Sequence, residues 1–209
     1  MDLYFSRRRF FQTSFHAPAS KTESGERGRL KEVYRVSTTV RKNSIFPDVT
    51  TIEFVGAEDE EKHYVVATIE WKWPSQASSV IEIDDKRMTL KEFMKREDGL
   101  FSTGTHVMVD EDRYTWRSSV CRPAALYDTQ GRTAAIFSPR SFGLRPVSRI
   151  CTVQPACLHL LSGLATDAYA RDITVASFFV YRACRDLQII LTPWWREKQA
   201  DFTGIELQA

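Results

Sequence analysis

The sequence predicts a mainly β protein whose strands close around one hydrophobic C-terminal helix. Three observations carry that prediction. From Tyr34 to Leu161, short apolar runs recur with period-two alternation, the pattern of strands with one packed and one wet face. Residues 164–192 hold neither glycine nor proline, and Asp172 to Asp186 within them is apolar on nearly every side at helical spacing. That helix falls short of the about 20 apolar residues of a membrane span, and Ser177, Arg182 and Arg185 interrupt it. A helix that is greasy all round and does not span must be hidden, and a closed sheet is the container these strands supply.

The elements follow in order. Leu3 to Phe5 and Phe10-Phe11 are predicted strand pieces around Arg7, Arg8 and Arg9. Residues 17–28 are rich in Ser, Gly and charge and are predicted to form a mobile loop. Tyr34, Val36 and Thr38 share one face of a strand, and Ile52 and Phe54 begin the next. The acidic loop Ala57 to Glu61 separates these from the clearest alternation in the chain. In Tyr64 to Trp73, the spacing puts Val65, Ala67, Ile69, Trp71 and Trp73 on the packed face, with Val66, Thr68, Glu70 and Lys72 opposite. Ile81 and Ile83 continue the strands.

Thr89 and Glu92 have capping-box spacing, so a short surface helix is predicted there, with Gly99 at its close and Phe93 and Met94 docked on the sheet. His106 to Val109 and Arg113 to Arg117 flank a hairpin turn at Asp110 to Asp112. Ala125 to Tyr127 and Thr133 to Phe137 flank another at Asp128 to Gly131. Ile150 to Val153 and Leu158 to Leu161 are the last strands of about ten. Strands do not alternate with helices, which excludes a parallel βαβ architecture. In the terminal helix, Ile173, Ala176, Val180, Ala183, Cys184 and Leu187 form one broad face, with Val175, Phe178 and Phe179 opposite. Residues 1–190 read as one domain and 191–209 as a tail.

With 209 residues the chain suits a single domain. A formal net charge of +2 is too near neutral to argue for a nucleic-acid partner. Trp71 and Trp73 share their predicted face with aliphatic residues, so they read as core rather than as a base-stacking platform. Cys121, Cys151, Cys157 and Cys184 form no CxxC pair and match no zinc spacing. The apolar stretch before Arg7 is too short for a secretory leader, so reduced thiols and a cytoplasmic location are expected, with peripheral membrane attachment as an option.

With the order of elements fixed, the chain resembles an uncharacterised fungal domain family grouped with the tubby C-terminal-like folds, which also include scramblase-like and LURP-one-related proteins. The matching pieces are Val33 to Thr38, Val66 to Trp71, Asp112 to Arg117 with Leu126 to Asp128, Ala134 to Phe137, and Leu158 to Leu161 leading into Asp172 to Arg185. The resemblance implies a closed antiparallel β-barrel of about a dozen strands threaded by the C-terminal helix. It also implies a binding role, since tubby proteins bind phosphoinositides on a basic surface site. No residue of that site has a counterpart here.

The candidate site residues each have a structural alternative. Arg7, Arg8 and Arg9, flanked by Phe5, Phe10 and Phe11, suit an anionic lipid surface or a charged strand edge that resists aggregation. Trp194, Trp195, Arg196 and Lys198 suit an interfacial membrane anchor or a cap on the barrel end. Cys157 and His159 share a strand face, with Asp167 downstream, and could form a nucleophile pair; nothing suggests an oxyanion hole. His16, His63 and His106 are scattered. Asp110, Glu111, Asp112 and the cluster Glu58 to Glu61 lack calcium-loop spacing, and no glycine-rich phosphate loop is present. The expectation is a non-enzymatic intracellular module, without metal or cofactor, that binds a phospholipid or phosphoinositide headgroup. The alternative is a protein-interaction scaffold.

Overall fold

The computed structural model describes residues 1–6, 12–18, 30–40, 46–56, 63–73, 78–96, 104–119, 122–139, 141–144 and 151–190. Within them the chain builds two antiparallel meanders. The first comprises β1 (Asp2–Phe5), β2 (Thr13–Pro18), β3 (Leu30–Val40), β4 (Pro47–Phe54), β5 (Tyr64–Glu70), β6 (Val80–Ile83) and β7 (Lys86–Thr89), each paired with its sequence neighbours. A four-residue helix, α1 (Leu90–Phe93), leads to the second. It comprises β8 (Met94–Arg96), β9 (Thr105–Val109), β10 (Asp112–Ser119), β11 (Arg122–Tyr127), β12 (Thr133–Ser138) and β15 (Cys157–Leu160). Strand β15 also pairs with β1, Asp2 opposite His159 and Tyr4 opposite Cys157, which merges both meanders into one sheet of 13 strands. A separate hairpin pairs β13 (Ser141–Leu144) with β14 (Cys151–Gln154). The short α2 (Ser162–Thr166) and the long α3 (Ala168–Ile190) are the last elements among the described residues.

The sheet is antiparallel and large, as its sequence pattern predicts, but it is not closed. Strands β7 and β8 are its two edges, and no ladder joins them among the described residues. What joins them is the chain itself, through α1. The predicted capping box is present: the Glu92 amide donates to Thr89 Oγ1 at 3.2 Å, and the Thr89 amide donates to Glu92 Oε2 at 2.8 Å. The helix does not run on towards Gly99, which lies outside the described residues. It stops at Phe93, because Met94 is already extended and pairs with Val107. Phe93 and Met94 are buried as predicted.

Helix α3 is hidden by side chains from strands far apart in the sheet. Every residue from Asp172 to Val180 is buried. The Phe178 ring meets Phe5 of β1, Trp116 of β10 and Phe137 of β12 at centroid distances of 5.9, 5.5 and 5.0 Å. Its few polar groups are satisfied, as burial requires. Thr174 Oγ1 donates to the Ala170 carbonyl and Ser177 Oγ to the Thr174 carbonyl, while Ser177 Oγ accepts from Trp116 Nε1 at 3.0 Å.

Several expectations require correction. On β5, Val65 is 56% exposed and Val66 only 5%, the reverse of the predicted faces. The register slips between Ile52↔Ala67 and Glu53↔Val65. Val66 is therefore the extra residue of a bulge, and a bulge reverses the alternation on one side of itself. The strand ends at Glu70, so Trp71 and Trp73 lie beyond it. Residues 17 and 18, assigned to a loop, are the end of β2. Strands β2, β7, β8 and β13 and helix α2 were not predicted. The β6–β7 turn uses Asp84 and Asp85 in left-handed backbone (φ 51° and 56°), a conformation aspartate tolerates better than most residues. Two adjacent aspartates carry little turn signal without a glycine.

Candidate functional site

Three clusters of side chains have chemical potential. The first is a pocket of about 500 Å³ lined by Phe46, Pro47, Asp48, Trp71, Lys72, Trp73 and Ser78. It lies where β4 begins and β5 ends. Its walls are held in place. Trp71 is buried and its Nε1 donates to Thr50 Oγ1 at 2.9 Å, while Thr50 Oγ1 also meets Thr38 Oγ1 at 2.8 Å. Trp73 Nε1 donates to the Pro47 carbonyl at 3.0 Å, and its ring stacks on Phe46 at 4.5 Å between centroids. The Lys72 amide donates to Ser79 Oγ at 2.9 Å. Trp71 is thus core, as predicted, whereas Trp73 is half-buried beside the pocket.

The second cluster lies at the opposite end of β4 and β5, where Tyr34, Phe54 and Tyr64 are register partners. Tyr34 Oη donates to Asp172 Oδ1 at 2.5 Å, and Tyr64 Oη donates to Asp172 Oδ2 at 2.6 Å. Arg171 Nε donates to Tyr34 Oη at 2.8 Å, and its guanidinium sits 5.1 Å from the Phe54 ring centroid. Burial raises the Asp172 carboxyl above its usual range, although both tyrosines and Arg171 oppose the rise. Burial and the Asp172 carboxylate raise Tyr34 well above ordinary tyrosine, and Tyr64 is pushed up to about 12 by burial and its hydrogen bond to Asp172. This network ties the start of α3 to three strands.

The third cluster lies on β1 and β15. His159 Nδ1 is 2.9 Å from Asp2 Oδ1 and 3.8 Å from Cys157 Sγ. The predicted Cys157–His159 neighbourhood is therefore real, but its acidic partner is Asp2. Asp167 is elsewhere: its Oδ1 accepts from the Ala170 amide at 2.8 Å and caps the first turn of α3. Cys157 is 3% exposed, and burial with the nearby Asp2 charge pushes its thiol up to about 11. An activated thiolate nucleophile needs the opposite shift.

Of the other expected site residues, Arg7, Arg8, Arg9, Trp194, Trp195, Arg196 and Lys198 lie outside the described residues, as do Glu58 to Glu61 and Cys121. Cys157 and Cys184 are free thiols. His106 Nδ1 meets Thr115 Oγ1 at 2.8 Å, His63 is exposed and His16 is half-buried. Asp110 forms the β9–β10 turn at φ 54°. Sequence reasoning passed over Phe46, Asp48 and Asp2. Phe46 and Asp48 fall outside any alternating run, and Asp2 meets its partners only through pairing across the whole chain. Among the described residues no helix is long and apolar enough to cross a membrane.

The fold and these sites define a class: a β-sheet protein packed on a buried helix, with a pocket where β4 begins and β5 ends. Residues 18–185 match the model of the family of unknown function DUF6593, and the chain belongs to that family. No curated protein and no solved structure matches it.

Proposed function

We propose that the chain is a non-enzymatic binding module that takes a phospholipid headgroup in the pocket at Phe46, Trp71 and Trp73. The observation that carries this reading is the composition of that pocket. Aromatic faces attract alkylated ammonium groups through the ring quadrupole. Asp48 and Lys72 add one negative and one positive residue to the same lining. A headgroup that joins an ammonium to a phosphate, such as phosphocholine, has complementary chemistry at both ends. The location also supports the reading, because α3 fills the space under the sheet and leaves ligands the rim. The raised Cys157 thiol argues against the hydrolase alternative. Thirteen strands packed on a hydrophobic helix support the tubby-like reading of the fold, with α1 bridging the β7 and β8 edges. A peripheral location on an intracellular membrane belongs to the same proposal.

The test is co-sedimentation of the full chain with phosphatidylcholine vesicles, with and without phosphoinositide. Tryptophan fluorescence titration with free phosphocholine runs beside it. Vesicle binding that weakens at least about tenfold in Trp73→Ala supports the pocket, since a ring stacked on a cation contributes ~0.5–2 kcal/mol and the same ring shapes the wall. Binding that depends on phosphoinositide and ignores Trp73 moves the site to the basic segments at the chain ends. No binding to any vesicle at low salt sinks the lipid reading.

A further inference from the structure

We propose that Asp2, Cys157 and His159 form a binding site for a zinc-type transition-metal ion. The three donor atoms all lie within 4.8 Å of one another. The sheet places them there. Cys157 and His159 are two apart on β15 and so share a face, and Asp2 is the direct cross-strand partner of His159. A tetrahedral ion bonded at ~2.0–2.3 Å to S, N and O ligands requires those ligands about 3.3–3.6 Å apart. The observed 2.9 Å between His159 Nδ1 and Asp2 Oδ1 and 3.8 Å between Nδ1 and Cys157 Sγ bracket that spacing. The third separation, Asp2 to Cys157, is within 4.8 Å, so side-chain rotation has to draw the three donors together around the ion.

The donor set selects the ion. One thiolate, one imidazole and one carboxylate suit zinc and its neighbours, whereas magnesium and calcium prefer oxygen alone. Three protein ligands leave a fourth position for water or for another group. On binding, the ion takes the Nδ1 lone pair of His159, so the neutral imidazole carries its one proton on Nε2 and any second proton leaves to solvent, while the Cys157 thiol releases its proton to solvent as the metal–sulfur bond forms. Tyr4, two residues along β1 from Asp2 and opposite Cys157, lies on the same face beside the cluster. The backbone beneath is fixed. The Leu160 amide donates to the Met1 carbonyl at 2.8 Å and the Phe5 amide to the Ala156 carbonyl at 3.0 Å, one on each side of the cluster. Ligands on paired strands are better placed than ligands on loops.

Cobalt(II) is the probe, since a thiolate ligand gives it an intense charge-transfer absorption and a tetrahedral site gives strong visible bands. The full reduced chain should bind one equivalent of cobalt with both signatures, and zinc should displace it. His159→Gln and Asp2→Asn should each weaken binding at least about tenfold, and Cys157→Ser should remove the charge-transfer band. Cys184→Ser should keep it. Zinc should also raise the thermal midpoint of the wild type, because it binds the native state, and should not raise that of His159→Gln. His159 and Asp2 side chains are partly exposed, so these two variants remain informative if Cys157→Ser fails to fold. No cobalt–thiolate band in the wild type, or an undiminished band in both His159→Gln and Asp2→Asn, overturns the proposal.

Discussion

Asp172 shows how one residue reconciles a charge with a greasy environment. A carboxylate buried without partners would be strongly unfavourable. Here two tyrosine hydroxyls donate to its two oxygens, and Arg171 reaches the same hydroxyl of Tyr34. The tyrosines bear the consequence, since loss of either proton would place a second negative charge against Asp172. Free tyrosine ionises near ~10, whereas Tyr64 in the fold waits until about 12 and Tyr34 is held well above its ordinary value. The folded state therefore binds more protons than the unfolded chain across that interval. The stabilisation is fully present below pH ~10 and is lost as pH rises through the raised values. Urea unfolding of the wild type should show stability falling across this window, and Tyr64→Phe should fall less steeply while starting lower at neutral pH. Parallel profiles for the two proteins would mean that Tyr64 does not hold its proton through Asp172. Little of this network was legible in the sequence. Asp172 read only as the start of an apolar helix, because its partners lie 138 and 108 residues away.

At the scale of the element, α3 carried the clearest signal. A stretch without glycine or proline and without a polar face predicts a buried helix, and residues Asp172 to Val180 are buried throughout. Its true start at Ala168 was less visible, because Asp167 caps it from a sequence that looks like an ordinary loop. Strand β5 failed for a different reason. A bulge at Val66 leaves composition and alternation intact and changes only which valine is inside, so no period count detects it. The capping box at Thr89 was legible because its two hydrogen bonds are local. The length of α1 was not, since pairing of Met94 with Val107 ends it. The prediction at this scale concerns Phe179, which is fully buried in the middle of α3. Phe179→Asp places a charge at a fully buried position in the core. Soluble expression should be abolished, and a Phe179→Leu control, which keeps an apolar side chain of similar size, should still fold. A soluble Phe179→Asp protein with an unchanged melting midpoint would contradict the buried position of the helix.

At the scale of the molecule, the two meanders meet twice, once through hydrogen bonds and once through the chain. The covalent junction is α1, between the edges β7 and β8. Both edges are basic, with Lys86 and Arg87 on one and Lys95 and Arg96 on the other, all exposed, a device that discourages pairing with other chains. The hydrogen-bonded junction is β1 against β15, which brings the start of the chain beside its last strand. This second junction was illegible from sequence, since its partners Asp2 and His159 lie 157 residues apart. The residues of β1 are central. Leu3 is fully buried, and Phe5 packs on Phe15, Phe137 and Phe178 at 4.5, 5.6 and 5.9 Å, rings drawn from both meanders and from α3. Leu3→Ala should therefore behave as a mid-core truncation and destabilise the protein by about 2–5 kcal/mol. Both meanders belong to the one 13-stranded sheet and share one core, so far-ultraviolet and near-ultraviolet circular dichroism should lose their signals together in urea, in the wild type and in the variant. A loss below about 1 kcal/mol, typical of a surface substitution, would show that the meanders hold together without β1. Two separated transitions would show that they fold as independent units.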